Sequence, residues 1–108
     1  MLWFNPITKI KLENKIHVAA EEIASNCFSD VQLRLDPACH EMNTSEVRGY
    51  IRARAAKVIG SCVAQSLKKR KDLPQQCHGK VQESATEHVI RLTVLRMRKS
   101  ARTFKQAA

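Results

Sequence analysis

Between Asn43 and Leu67 the chain reads NTSEVRGYIRARAAKVIGSCVAQSL, and this stretch decides the fold. Asn43-Thr44-Ser45-Glu46 has the layout of a helix cap. An Asn at the N-cap can take the third backbone N–H, and a Glu at the third position can reach back to the cap. Val47, Ile51, Ala55, Val58 and Cys62 then recur every three or four residues, and Tyr50, Ile59 and Val63 widen the line. This spacing predicts a helix over 44–68. Lys68-Lys69-Arg70-Lys71-Asp72-Leu73-Pro74 follows as a basic linker that a proline stops.

Toward the N-terminus, Asn5-Pro6 reads as an N-cap followed by proline at the first helical position. Leu12, Ile16, Ala20, Ile23 and Cys27 keep helical spacing, with Ala19 and Ala24 beside them, so a first helix is expected over 6–27. Ile10-Lys11-Leu12 and Ile16-His17-Val18 also alternate as a short hairpin would, but the helical phase carries through Ile23. Ser29-Asp30 breaks the pattern. Val31-Gln32-Leu33-Arg34-Leu35 alternates up to Asp36-Pro37, and reads as a short extended segment over 31–35. A lone strand must pair with something, either the 10–18 segment or a second copy of the chain.

Toward the C-terminus, Ser84-Ala85-Thr86-Glu87 has the capping-box layout, with a start one turn earlier after Gly79 as the alternative. Val81, Ala85, Val89, Leu92 and Leu95 form one apolar line. Ile90, Val94, Met97, Ala101 and Phe104 form another. A third helix is expected over 80–105, wide enough in its apolar face to pack on more than one neighbour. The fold expected is therefore mainly α: a small irregular three-helix bundle with one short extended segment, in a single domain over 1–108.

Composition agrees. The 108 residues are 44% hydrophobic and 27% charged, with three glycines and three prolines, as suits a folded helical chain. No run is long enough for a membrane span. Met1 to Pro6 shows no basic region and no long apolar stretch, so no export signal is expected and the cytoplasm is the expected compartment. There Cys27, Cys39, Cys62 and Cys77 are expected to stay reduced.

The net charge of +9 is unevenly spread. Residues 1–47 carry a net −3 and residues 48–108 a net +12, and no acid occurs after Glu87. Lys68, Lys69, Arg70 and Lys71 are contiguous. On the third helix Arg91, Arg98, Arg102 and Lys105 fall close to one stripe, with Arg96 and Lys99 beside it. Lys68 to Lys71 together with Arg91, Arg98, Arg102 and Lys105, eight residues, are the candidate contacts for a polyanion, since such a stripe can track a phosphate backbone. Bases near a helix end also complement its dipole without any partner. No aromatic-rich RNA-recognition strand, glycine-rich clamp, heptad zipper or tight helix-turn-helix accompanies the charge, so backbone contacts are expected rather than base readout. The function expected is non-catalytic association with nucleic acid. The alternative is an interaction module or small structural subunit whose basic face meets an acidic protein, with self-association also open.

Other chemistry finds little support. Cys39-His40 and Cys77-His78 offer zinc-type donors, but no C-x2-C or H-x3-H spacing organises them. Cys27 and Cys62 lie on apolar lines, where cysteine acts as a small hydrophobe. His17 and Glu21 sit four apart, a pair able to bind metal but reading first as a surface ion pair, and His88 reads as a core-edge histidine. Gly60-Ser61-Cys62 lies mid-helix, without a nucleophile elbow, and no phosphate loop exists. No catalytic residue, metal or cofactor is expected. Trp3 and Phe4 read as a staple before Asn5, or as anchors for a partner.

Overall fold

The computed structural model describes the backbone of residues 6–70 and 73–107, and the side chains of 10–37, 39, 41–70 and 73–99. Trp3, Phe4, Asn5 and Lys71 lie outside the described residues. Three helices pack on one another: α1 (Pro6–Leu33), α2 (Thr44–Lys69) and α3 (His78–Ala107). Short 3-10 turns at Pro37–Glu41 and Gln75–Cys77 join them. Strands are absent among the described residues. No helix there is long and apolar enough to cross a membrane.

The helix over 10–18 excludes the hairpin reading. Its buried row Ile16, Ala19, Ala20, Ile23, Ala24 and Cys27 matches the expected stripe. The end of α1 differs from expectation. The segment 31–35 is not extended, because helix continues to Leu33 and closes in a turn over Arg34 and Leu35. Val31 stands four residues after Cys27 and extends the buried row, fully covered, while Leu33 is 85% exposed. In a strand these two would share a face; in a helix they point nearly opposite ways. Core burial of Val31 thus overrides the local alternation. The last turn tightens through Arg34 N–H to the Val31 carbonyl, 3.0 Å, and Leu35 N–H to the Gln32 carbonyl, 3.2 Å. Pro37 follows, and the Asp36 N–H donates to Tyr50 Oη at 2.8 Å. With no strand to pair, that argument for self-association falls.

The start of α2 is as expected. Asn43 Oδ1 accepts the Glu46 N–H at 2.9 Å, and Glu46 Oε1 accepts the Asn43 N–H at 3.2 Å. Val47, Ile51, Ala55, Ile59, Val63 and Leu67 are buried along α2. A row of strict four-residue steps is inclined to the helix axis by about 26°. Its covered face therefore winds around α2, from Val47 near α3 to Leu67 near the α2–α3 turn, with Val58 and Cys62 half-buried at its edge. Gly60 sits where α3 comes close: a Cβ there would meet Gln82 Nε2 at 3.3 Å.

α3 starts at His78, so Ser84-Ala85-Thr86-Glu87 is helix interior and not a cap. Leu73 and Cys77 are buried in the preceding turn and draw the chain into helix earlier. Val81, Ala85, Val89 and Ile90 fill the core from α3. The polar Thr93 sits there too, donating to the Val89 carbonyl at 2.8 Å and accepting from Gln32 Nε2 at 2.9 Å. Thr86 likewise donates to the Gln82 carbonyl. Both hydroxyls are satisfied, which removes the cost of burying them. As expected of its wide face, α3 packs on both α1 and α2.

α2 runs antiparallel to both neighbours. Glu22 pairs with Arg70, and Leu33 and Val58 line one open pocket, across α1 and α2, while Arg48 pairs with Glu87 and Arg52 with Glu83 across α2 and α3. The helices thus run up, down and up around one buried cluster.

Candidate polyanion-binding surface

The basic candidates whose side chains are described do not form one surface. Thr44 lies in a groove with Arg98, at the start of α2. Lys68, Lys69 and Arg70 close the same helix at its other end. Twenty-four residues of helix separate Thr44 from Lys68, or about 36 Å along the axis. The two basic clusters therefore sit at opposite ends of the bundle.

At the α2 C-terminus, Lys68 and Lys69 are exposed. Arg70 is half-buried and forms an ion pair with Glu22 of α1. Its guanidinium ties two helices together, and it accordingly leaves the candidate set as a free cation. Lys71 lies outside the described residues.

At the other end, the packing of α2 on α3 sorts the charges. Arg48 Nη1 donates to both oxygens of Glu87, at 2.8 and 2.9 Å. Arg52 Nη2 donates to Glu83 Oε1 at 2.8 Å and also bonds Glu87. The Arg52 hydrogen bond above all, with the charges of Arg52 and Arg48, holds the Glu83 carboxyl below its ordinary range. Both acids of α3 are thus taken up by arginines of α2. Sequence reading named neither arginine, because the partners stand more than thirty residues away.

What remains is basic. Arg91 and Arg98 are exposed, line one groove with Thr44 and the Arg48–Glu87 pair, and make no ion pair among the described residues. They are two turns apart on one face of α3, with Leu95, 48% exposed, between them. Leu92 is also exposed, so the expected apolar line through Leu92 and Leu95 leaves the core there. α3 continues as helix to Ala107, and its backbone carries Arg102 and Lys105; their side chains lie outside the described residues.

Cys39 and His40 precede α2, while Cys77 and His78 follow it. The length of α2, about 39 Å, keeps the two pairs from meeting on one ion. Cys27 and Cys62 lie side by side between α1 and α2. Burial, with Cys62 next to it, pushes the Cys27 thiol up to about 12, which leaves it a packing group and not a nucleophile. Burial beside Asp36 raises Cys39 too.

His17 and Glu21 pair on α1 as their spacing suggests, with His17 Nε2 and Glu21 Oε1 at 3.0 Å. The unforeseen member is His88, from α3. Its ring lies 4.9 Å from that of His17, centroid to centroid, tilted by 56°. Burial, and then His17, lower the pKa of His88 and favour its neutral ring. No local spacing could announce a partner 71 positions away.

Against protein-family models, curated protein sequences and solved structures the chain finds no match. Fold and surface therefore define only a class: a small up-down-up three-helix bundle with Arg91 and Arg98 exposed in one groove toward one end.

Proposed function

We propose that this protein is a non-catalytic, cytoplasmic nucleic-acid-associated protein that holds the phosphate backbone through the arginine face of α3. One observation carries the reading. Packing consumes the acids of α3 against Arg48 and Arg52, and leaves Arg91 and Arg98 exposed in one groove on a helix with no acid beyond Glu87. Arginine suits this role, because its planar fork meets phosphate oxygens two at a time. Arg102 and Lys105 continue the same helix. Thr44, at the start of α2, lines the same groove. Lys68 and Lys69 form a separate, smaller patch.

The contacts are to phosphate, so affinity should depend on salt more than on base sequence. Fluorescence anisotropy with labelled duplex DNA, single-stranded DNA and RNA at rising salt tests this. Binding whose logarithm falls linearly with the logarithm of salt supports the reading. No binding at low salt overturns it.

A second reading draws on Leu92 and Leu95, which stand exposed beside Arg91. A protein partner with acidic and apolar residues on one face would match this mixture. Complex formation that persists at high salt would favour it.

A further inference from the structure

We propose that His17, Glu21 and His88 form a binding site for one divalent transition-metal ion, of which zinc is the best fit, pinning α1 to α3. The observation is a convergence of donors. One ligand atom from each of the three side chains lies within 4.8 Å of the other two. His17 and Glu21 are one turn apart on α1 and already touch at 3.0 Å. His88 comes across from α3, with its ring tilted against that of His17 and not stacked on it. Tilted rings can aim nitrogen lone pairs at a common point.

Zinc–nitrogen and zinc–oxygen bonds of about 2.0–2.2 Å place tetrahedral ligands roughly 3.4 Å apart. The wider separations, up to 4.8 Å, must therefore close by as much as about 1.4 Å, while the His17–Glu21 pair is already close enough. Side-chain rotation can supply this, because the His17 and Glu21 side chains are more than half exposed. Two imidazoles and one carboxylate, with a position left to water, suit zinc, cobalt or nickel. Magnesium and calcium prefer all-oxygen shells. Arg91, one turn on from His88, weighs against a cation, and the carboxylate of Glu21 opposes that effect.

Cobalt(II) titration of the full chain, followed by absorption, tests the site, because cobalt reports its ligands. The expected result is one ion per chain, with visible bands of a nitrogen–oxygen site and no near-ultraviolet band from a cysteine thiolate. Zinc should compete for it and raise the melting temperature, whereas magnesium should do neither. Even an outer partner of a metal ligand is worth ten- to a hundredfold in affinity. Loss of a ligand in His17→Ala or His88→Ala should thus weaken binding by about a hundredfold or more, and Glu21→Gln should weaken it as well. His78→Ala, away from the cluster, should bind normally. His17 is exposed, so His17→Ala keeps the test sound even if His88→Ala unfolds. A thiolate band, unaltered binding in His17→Ala, or no binding by the wild-type chain would each overturn the site.

Discussion

The two ends of α2 carry similar charge and use it differently. At the C-terminal end, Arg70 is drawn onto Glu22 and joins α2 to α1. Lys68 and Lys69 remain exposed, with the negative end of the helix dipole to satisfy them. At the N-terminal end, Arg48 and Arg52 take up the acids of α3, and Arg91 and Arg98 are left over. The contrast teaches that a count of bases does not locate a binding surface. The positions of the carboxylates decide which cations are already neutralised, and only the fold sets those positions.

The contrast depends on α2 as a stiff spacer, and the largest effect should come from its core row. Ile59 is fully buried at its middle. Ile59→Ala should destabilise the protein by about 2–5 kcal/mol, through lost transfer energy and the cavity left behind. Denaturant unfolding measures this. A loss below about 1 kcal/mol would mean that α2 is not packed as described.

The next effect tests the junction that leads into the N-terminal end. Val31→Ala should cost about 2 kcal/mol, since Val31 is fully covered. Leu33→Ala, at an exposed position, should stay within about 0.5 kcal/mol. Equal costs would restore an extended segment with both residues on one face.

A smaller effect is expected at the cap. Asn43→Ala removes one half of the capping box and should cost about 1 kcal/mol. Asn43→Gly should recover most of it.

The smallest concerns the ion pairs that sort the charge. Glu83 in the folded protein titrates below its ordinary value, chiefly because Arg52 bonds to its carboxylate. A lowered folded pKa adds stability that is present above the unfolded value and fades as pH falls through the folded one. Glu83→Gln should therefore lower the melting temperature slightly at neutral pH. The difference from wild type should vanish in acid, below the ordinary carboxylate range. The pair is exposed, so salt should shrink it further. A difference that grows in acid would contradict the assignment.

Much of the fold was legible because its signals are local. The Asn43–Glu46 cap and the apolar rows of α1 and α2 need only a few neighbouring residues to declare themselves. The end of α1 was not legible. Five alternating residues look like a strand until Val31 is seen to follow Cys27 by one helical turn, and until Gln32 finds Thr93 sixty-one residues on. Ser84–Glu87 has cap chemistry, but the burial of Cys77 and Val81 draws helix past it. The arginine row of α3 could be read from spacing. Its separation from Lys68–Arg70, and the pairing of Arg48 and Arg52 with Glu83 and Glu87, depend on antiparallel packing and leave no mark in local sequence.

The central claim is that the arginine end, and not the lysine end, holds the polyanion. The direct test is a salt series of duplex-DNA binding by three chains: wild type, Arg91→Glu/Arg98→Glu and Lys68→Glu/Lys69→Glu. Each lost phosphate contact should reduce the slope of log K against log salt by about one. The account predicts that the arginine pair weakens binding at least about tenfold, or about 1.4 kcal/mol, and lowers the slope by about two. The lysine pair should change affinity by less than about threefold. Equal losses from the two pairs, or a larger loss from the lysine pair, would contradict it.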